Sequence, residues 1–229
     1  MKLLILSDVH YPEPYSMLYK KIIEAEKPDN IVFLGDNVEA KDKSNPIKLH
    51  ERFIGELRGT LELDRVIYLL GDNDYNEKFK KLEKFNFINS NFLFFSIGNM
   101  YFFHGNIESF LPFSGAGHFA EKLGRYLVSN SFGVGKALLP KVVSFASRIK
   151  YKVPNDAYLF EGHIHLLKKT GRNDIFCGTL RNKRLVYDPE ESLGYVTVEH
   201  RNFFVSKKSD VKLKRLDLPS IPYAKAQRH

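Results

Sequence analysis

Apolar residues along this chain fall into short β-prone runs, each closed by a cluster of small, acidic or histidine residues. The runs are Leu3 to Leu6, Ile31 to Leu34, Val66 to Leu70, Tyr101 to Phe103 and Tyr158 to Phe160. Between the first three runs the apolar period changes to that of a helix. Leu18, Ile22 and Ala25 share one face, and Leu49, Phe53 and Leu57 recur every fourth residue. The pattern predicts strand 2–7, a helix near 15–27, strand 31–34, a helix near 46–58, strand 66–70 and a short helix near 75–84. Strand alternating with helix implies right-handed crossovers and a largely parallel sheet.

The grammar then changes. Phe92 to Ser96 and Met100 to Phe103 flank Gly98-Asn99, which reads as a hairpin. Residues 107–152 form a block of their own. Phe119, Leu123 and Leu127 make one helical stripe; Leu138 or Leu139 with Val142, Ala146 and Ile149 makes another, and Ser131 to Gly135 separates them. We read this block as a helical hairpin inserted into the domain. Short strands follow near 157–161, 174–177, 194–198, 202–206 and 211–216, hairpin-connected and expected to build a second sheet. The domain is thus expected to span 1–216, with 217–229, which carries Pro219 and Pro222, as a C-terminal tail.

The residues that close the apolar runs carry the chemistry. They read Asp8-Val9-His10, Gly35-Asp36-Asn37, Gly71-Asp72-Asn73-Asp74, His104-Gly105-Asn106 and Gly162-His163-Ile164-His165. Loops at strand ends of an α/β sheet are where ligands are gathered. Aspartate and histidine collected at several such ends make an oxygen/nitrogen metal site, with ligands enough for two ions. The mixed imidazole and carboxylate set, with no thiolate, suits Mn, Fe, Co, Ni or Zn better than Ca. His50, His118, His200 and His229 fall outside these clusters and are expected at the surface.

Composition narrows the setting. Cys177 is the only cysteine, so no intrachain disulfide forms, and a cytoplasmic location is expected. The thiol sits in an apolar strand and reads as packing. No apolar stretch reaches the roughly 20 residues needed to span a bilayer. The net charge is +8, and residues 201–229 hold eight Lys/Arg against two acids. Such a balance suits nucleic acid, acidic lipid surfaces or anionic substrates, and its plainer reading is a solvated strand face with a loose basic tail. Nucleic acid is a less favoured partner, because no stacking aromatics interleave Lys207 to Arg215.

The order of the five clusters resembles the calcineurin-like metallophosphoesterase superfamily, whose blocks read D-x-H, G-D, G-N-H-[D/E], H and G-H-x-H. Four blocks match at their key positions. The resemblance spans residues 1–200 and implies a four-layer α/β/β/α sandwich with a helical insertion. It implies two divalent ions, manganese first, bridged by Asp36. Asp8, His10 and His165 would complete one site; Asp72, His104 and His163 would complete the other. The activity it implies is hydrolysis of a phosphomonoester, phosphodiester or nucleotide-type pyrophosphate by metal-activated water, and so a phosphorylated small-molecule or nucleotide-like substrate. The insertion is similar in place to the cap of UDP-diacylglucosamine pyrophosphohydrolases. A lid is one reading of it; a helical pair packed on the sandwich edge, or a dimer contact, is the other.

The third block departs from the family. Asp72 stands where the family has a neutral Asn, and Asn73 stands where it has His. Asn73 donates a hydrogen bond but delivers no proton at neutral pH. In a shifted register Asn73, rather than Asp72, is the ligand. His118 could replace the missing acid, and Asp74 is expected to orient its neighbours or cap a helix. With Asp36, Asn73 is a candidate catalytic residue. The substitution keeps two rivals open: a weakened, scaffold-type binding protein, and a nuclease.

Overall fold

The computed structural model describes residues 1–39, 46–60, 62, 65–71, 74, 94–105, 134–171, 173–181, 187–199 and 209–216. Two five-stranded sheets form its frame. The first has the order β10-β9-β1-β2-β3 and the second β4-β5-β6-β8-β7. The strands are β1 (Lys2–Leu6), β2 (Asn30–Leu34), β3 (Val66–Leu69), β4 (Phe94–Ile97), β5 (Met100–Phe103), β6 (Tyr158–Glu161), β7 (Leu167–Thr170), β8 (Asp174–Cys177), β9 (Gly194–Glu199) and β10 (Asp210–Arg215). The helices are α1 (Leu18–Glu26), α2 (Pro46–Arg58), α3 (Val134–Lys150) and the single turn α4 (Pro189–Ser192).

Alternation along the strands explains the layering. One face of sheet 1 carries Leu3, Ile5, Val32, Leu34 and Leu69, which meet Met100, Phe102, Phe160 and Ile175 of sheet 2 in a shared core. The opposite face carries Leu4, Leu6, Ile31, Phe33 and Val66, covered by Tyr19 and Ile22 of α1 and Phe53 and Leu57 of α2. The outer face of sheet 2 carries Phe176, which packs with Val143 of α3 and with Ile164 and Leu166. This is the expected α/β/β/α sandwich. Cys177 is buried in the central core, as a packing residue would be, and burial pushes its thiol well above the usual range. No helix among the described residues is long and apolar enough to cross a membrane.

The first three strands pair in parallel, with Leu4 opposite Ile31 and Val32 opposite Ile67. The hairpin over β4 and β5 is also present, with Ser96 opposite Tyr101. Several expectations about strands and helices need correcting. The strands near 194–198 and 211–216 belong to sheet 1, not sheet 2: β9 runs antiparallel between β1 and β10. An apolar run announces a strand but not its partner, and β9, buried on both faces, fills an interior position. β6 is not hairpin-connected; it lies parallel to both β5 and β8. β7 went unpredicted because Leu167–Thr170 has only one large apolar residue.

The other corrections concern helices. In α1, Tyr19, Ile22 and Ile23 are buried, whereas Ala25 points outward. In α3 the predicted stripe is turned away from the sheet: Leu138, Val142 and Ile149 are more than half exposed, while Val143, Ser144 and Ser147 face inward. The helix also begins at Val134, inside the expected break. The predicted helix near 75–84, the 119–127 stripe and strand 202–206 lie outside the described residues.

Polar chemistry accounts for the turned face of α3. Ser144 and Ser147 donate hydrogen bonds of 2.6 and 2.5 Å to the two oxygens of Glu161, a fully buried carboxyl at the end of β6. Arg148 alongside forks onto Asp174 and caps the carbonyls of Pro154 and Ala157. A buried carboxyl must be hydrogen-bonded, and only the serine face of α3 supplies donors. Burial pushes Glu161 from its ordinary 4.5 up to about 7, against the pull of the two serines. A folded-state value raised above the unfolded one gives stability that is complete below pH 4.5 and is lost as pH rises through 7. Glu161→Gln, which never ionises, should therefore gain about 2–3 kcal/mol relative to the wild type between pH 5 and pH 9. Denaturant melts of both proteins at the two pH values measure this, and parallel pH curves would refute it.

Candidate metal centre

The residues after β1, β2, β5 and β6 meet at one end of the two sheets. Backbone hydrogen bonds stitch the loops together. Asp8 N–H donates to Gly35 O at 3.1 Å, His10 N–H to Asp36 O at 2.9 Å and Gly162 N–H to Phe103 O at 3.2 Å. Two clusters result. Asp8, His10 and His165 form one; Asp36, His104 and His163 form the other, and within each the ligand-type atoms lie within 4.8 Å of one another.

Six of the seven expected metal ligands are thus brought together, in the grouping anticipated. Asp72, with Asn73, lies outside the described residues, as do His118, His200 and His229. Asp74 is described and buried: it accepts from the N–H groups of Asn37, Val38 and Gly71 at 3.0, 2.8 and 3.0 Å. It orients its neighbours by tying the second cluster loop to the third. Burial, and then the Asp36 charge, push its carboxyl up to about 7, while those N–H donors pull the other way.

Asp36 stands between the two clusters. Its Oδ1 lies 3.3 Å from His104 Nε2 and its Oδ2 lies 3.9 Å from His10 Nε2. His104 is fixed by geometry: its Nδ1 lies 2.8 Å from the Leu34 carbonyl, which can only accept. That contact puts the proton on Nδ1 and turns the Nε2 lone pair toward Asp36. Asp8 is held similarly. Its Oδ2 accepts from Ser7 Oγ–H and, at 3.0 Å, from His163 N–H. Its Oδ1 is left facing His165 Nε2 at 3.3 Å. Burial works to raise Asp8, but the surrounding histidines, His165 foremost, outweigh it and hold the carboxyl below the usual range.

The backbone is unusual where the side chains converge. Asp8, His10, Asp36, His163 and His165 have φ of 51°, 53°, 49°, 64° and 52°. Non-glycine residues rarely adopt this left-handed region, and such strain collects at functional sites. Among the described residues only Lys27 and Lys152 share it. Asp8 Oδ1 and His10 Nε2 are buried without a well-formed hydrogen bond, Asp8 Oδ1 having the 3.3 Å approach of His165 Nε2. Buried polar atoms aimed at a common point fit a cation-binding role. The donor set, imidazole nitrogen and carboxylate oxygen, fits divalent transition ions.

Several contributors escaped sequence reasoning. His50, expected at the surface, is buried on α2. Its Nδ1 lies 3.1 Å from Tyr68 Oη and its Nε2 3.6 Å from Asp74, and burial lowers its pKa to about 3, so it is neutral. Its position in the helical period, one residue from the Leu49 stripe, was the available signal. Glu39, Glu13 and Arg181 surround His10 and belong to none of the clusters.

Gly71 shows how tight the assembly is. A Cβ there would collide with the Asp36 carboxylate and the Asp36 backbone nitrogen, and would crowd His104 Nε2. Gly71→Ala should therefore cost about 1–3 kcal/mol, the range for overpacking. It should also displace Asp36 from His104. Thermal melts and a structure of the variant check this; an unshifted Asp36 would refute it.

No curated protein sequence matches this chain significantly. Among solved structures, that of YfcE, a phosphoesterase from E. coli, is 15% identical, covering 87% of this chain and 88% of its own, with a TM-score of 0.47. The family model described as calcineurin-like phosphoesterase matches residues 1–167, well over half of the 229 residues, and the chain belongs to that family.

Proposed function

We propose that the protein is a dinuclear metal-dependent phosphohydrolase acting on a phosphomonoester, phosphodiester or nucleotide-type pyrophosphate. The observation that carries this is Asp36, with one carboxylate oxygen turned to each cluster. Asp8, His10 and His165 would hold one ion; His104, His163 and, by family resemblance, Asp72 would hold the other; Asp36 would serve both. Two divalent ions so held supply Lewis acidity, charge shielding and an activated water. Manganese is the first choice, with Fe, Co, Ni and Zn next. We also propose that 1–216 is one catalytic domain and that it works in the cytoplasm, where a lone buried thiol suffices.

The chain's own residues do the positioning. The Leu34 carbonyl and the Ser7 hydroxyl fix the ring of His104 and the carboxylate of Asp8 before any ligand arrives. Pre-orientation of this kind removes reorganisation from the reaction. Asp36→Asn weakens half of the shared carboxylate. The variant should lose at least one ion by elemental analysis, and with it the hydrolysis of aryl phosphates. Full occupancy together with full activity would exclude the dinuclear reading.

Asn73 sets the substrate preference we expect. With no proton donor there, rates should fall steeply as leaving-group pKa rises, so that aryl diesters and phosphoanhydrides are cleaved far better than alkyl monoesters. Asn73→His should help poor leaving groups most, by about 10-fold or more, as for a positioned general acid. A plot of log rate against leaving-group pKa for both proteins is the measurement, and a flat wild-type line would contradict the expectation. If two ions bind and nothing turns over with any metal, the scaffold reading replaces the enzyme.

A further inference from the structure

We infer that Glu39 and Arg181, outside every motif, are positioning residues that choose which ring nitrogen of His10 carries the proton. The inference rests on the metal reading above, because the choice matters only if Nε2 is a ligand. His10 Nδ1 has two neighbours of opposite kind. Glu39 Oε2 lies at 2.8 Å and can only accept; Arg181 Nη1 lies at 3.2 Å and can only donate. One ring nitrogen cannot satisfy both. If it carries the proton, Glu39 is served and the Nε2 lone pair is free to bind a cation. If it does not, Arg181 donates into it, the proton moves to Nε2, and His10 cannot bind metal.

Distance and charge favour Glu39. Its contact is the shorter, and a carboxylate acceptor makes a stronger hydrogen bond than a neutral one. The same carboxylate raises the basicity of the opposite nitrogen, as it does in carboxylate–histidine–metal arrangements. Arg181 acts on Glu39 and restrains it. Its Nη2 lies 3.2 Å from Glu39 and 3.0 Å from Glu13, so the carboxylate is anchored by a cation that is itself held by a second acid. All three groups are largely buried: the side chain of Arg181 is 8% exposed and those of both glutamates 14%.

The fold brings Arg181 there deliberately. After β8 the chain is sewn to the end of β1: Thr179 Oγ1–H and Leu180 N–H both donate to Asp8 O, at 2.8 and 3.2 Å. Arg181 N–H then donates to Thr179 Oγ1 at 2.9 Å. Glu13 follows His10 in a turn closed by Glu13 N–H to His10 O, and Glu39 N–H donates to Tyr11 O, both at 2.9 Å. Three loops thus place an acid, a cation and a second acid behind one imidazole.

The arrangement predicts an unusual pattern of variants. Side-chain ¹H–¹⁵N correlation spectra of the metal-free protein should show His10 as the Nδ1–H tautomer. In Glu39→Ala, Arg181 should capture Nδ1, the spectrum should switch to Nε2–H, and Mn²⁺ titration calorimetry should show one of two sites weakened about 10–100-fold, the usual scale for such partners. Glu39→Gln, whose amide oxygen still accepts, should keep the Nδ1–H tautomer and lose less affinity. Removing Arg181 as well, in Glu39→Ala/Arg181→Met, should restore part of the lost affinity, because the competing donor is gone. A purely structural role would make the double variant worse than the single one. The inference is overturned if Glu39→Ala keeps both tautomer and affinity, or if the double variant binds more weakly than Glu39→Ala. Should Glu39→Ala not fold, a switch to Nε2–H in Glu39→Gln would overturn it equally. If the wild type binds no Mn²⁺, the metal reading fails, while the tautomer spectra still decide on Glu39 and Arg181.

Discussion

Five side chains that need to meet at one place impose a backbone that residues other than glycine seldom adopt. Asp8, His10, Asp36, His163 and His165 all lie in the left-handed region. Each such residue costs about 1–3 kcal/mol and persists only where its surroundings over-determine it. The rest of the structure supplies that determination. Parallel strands β1 and β2 deliver their loops side by side, and an additional bridge between Tyr11 and Val38 extends their pairing beyond the cluster residues. The Asp74 carboxyl then ties the second loop to the third, accepting from the N–H groups of Asn37 and Val38 in one and of Gly71 in the other. The large apolar core between the sheets holds the strand ends in place while the loops bend.

Electrostatics point the same way. Asp8, Asp36 and Asp74 are all buried, each with an oxygen near an imidazole. Buried carboxylates repel unless they are hydrogen-bonded or paired with positive charge. Burial and the Asp36 charge raise Asp74 against the pull of its N–H donors, whereas at Asp8 the histidines outweigh burial and hold the carboxyl low. Two acids a few residues from the same centre therefore take opposite courses. The one bonded to backbone builds the loops, and the one facing imidazoles is kept in the form that binds cations.

Much of this was legible in the sequence, for physical reasons. Short apolar runs ending in Asp or His gave six of the described cluster residues, because period-2 burial and strand-end loops leave a local signature. The layers came from the family resemblance, since local pattern put β9 and β10 in the wrong sheet. What was not legible depends on distant contacts. The pairing of β9 with β1 joins residues nearly two hundred positions apart, and no local pattern encodes it. The face of α3 misled because helical periodicity marks apolar stripes, whereas Glu161 drew the serine face inward. Glu39 and Arg181 escaped because a charge behind a histidine looks, in sequence, like any surface charge. His50 escaped because its one signal, a place beside the Leu49 stripe of α2, is faint for a polar residue type.

One topological detail bears on how such a protein changes over generations. β5 and β6 are neighbours in parallel, so their pairing obliges the chain to leave the sheet at His104 and return before His163. The chain re-enters at Tyr158, at the far end of β6, and only after running along that strand does it bring His163 beside His104, with ring centroids 5.3 Å apart. Closing a longer connection between fixed ends costs little, about 0.6 kcal/mol for each doubling in length. Added length in that connection need not disturb the imidazoles, provided α3 keeps the two serines that hold Glu161.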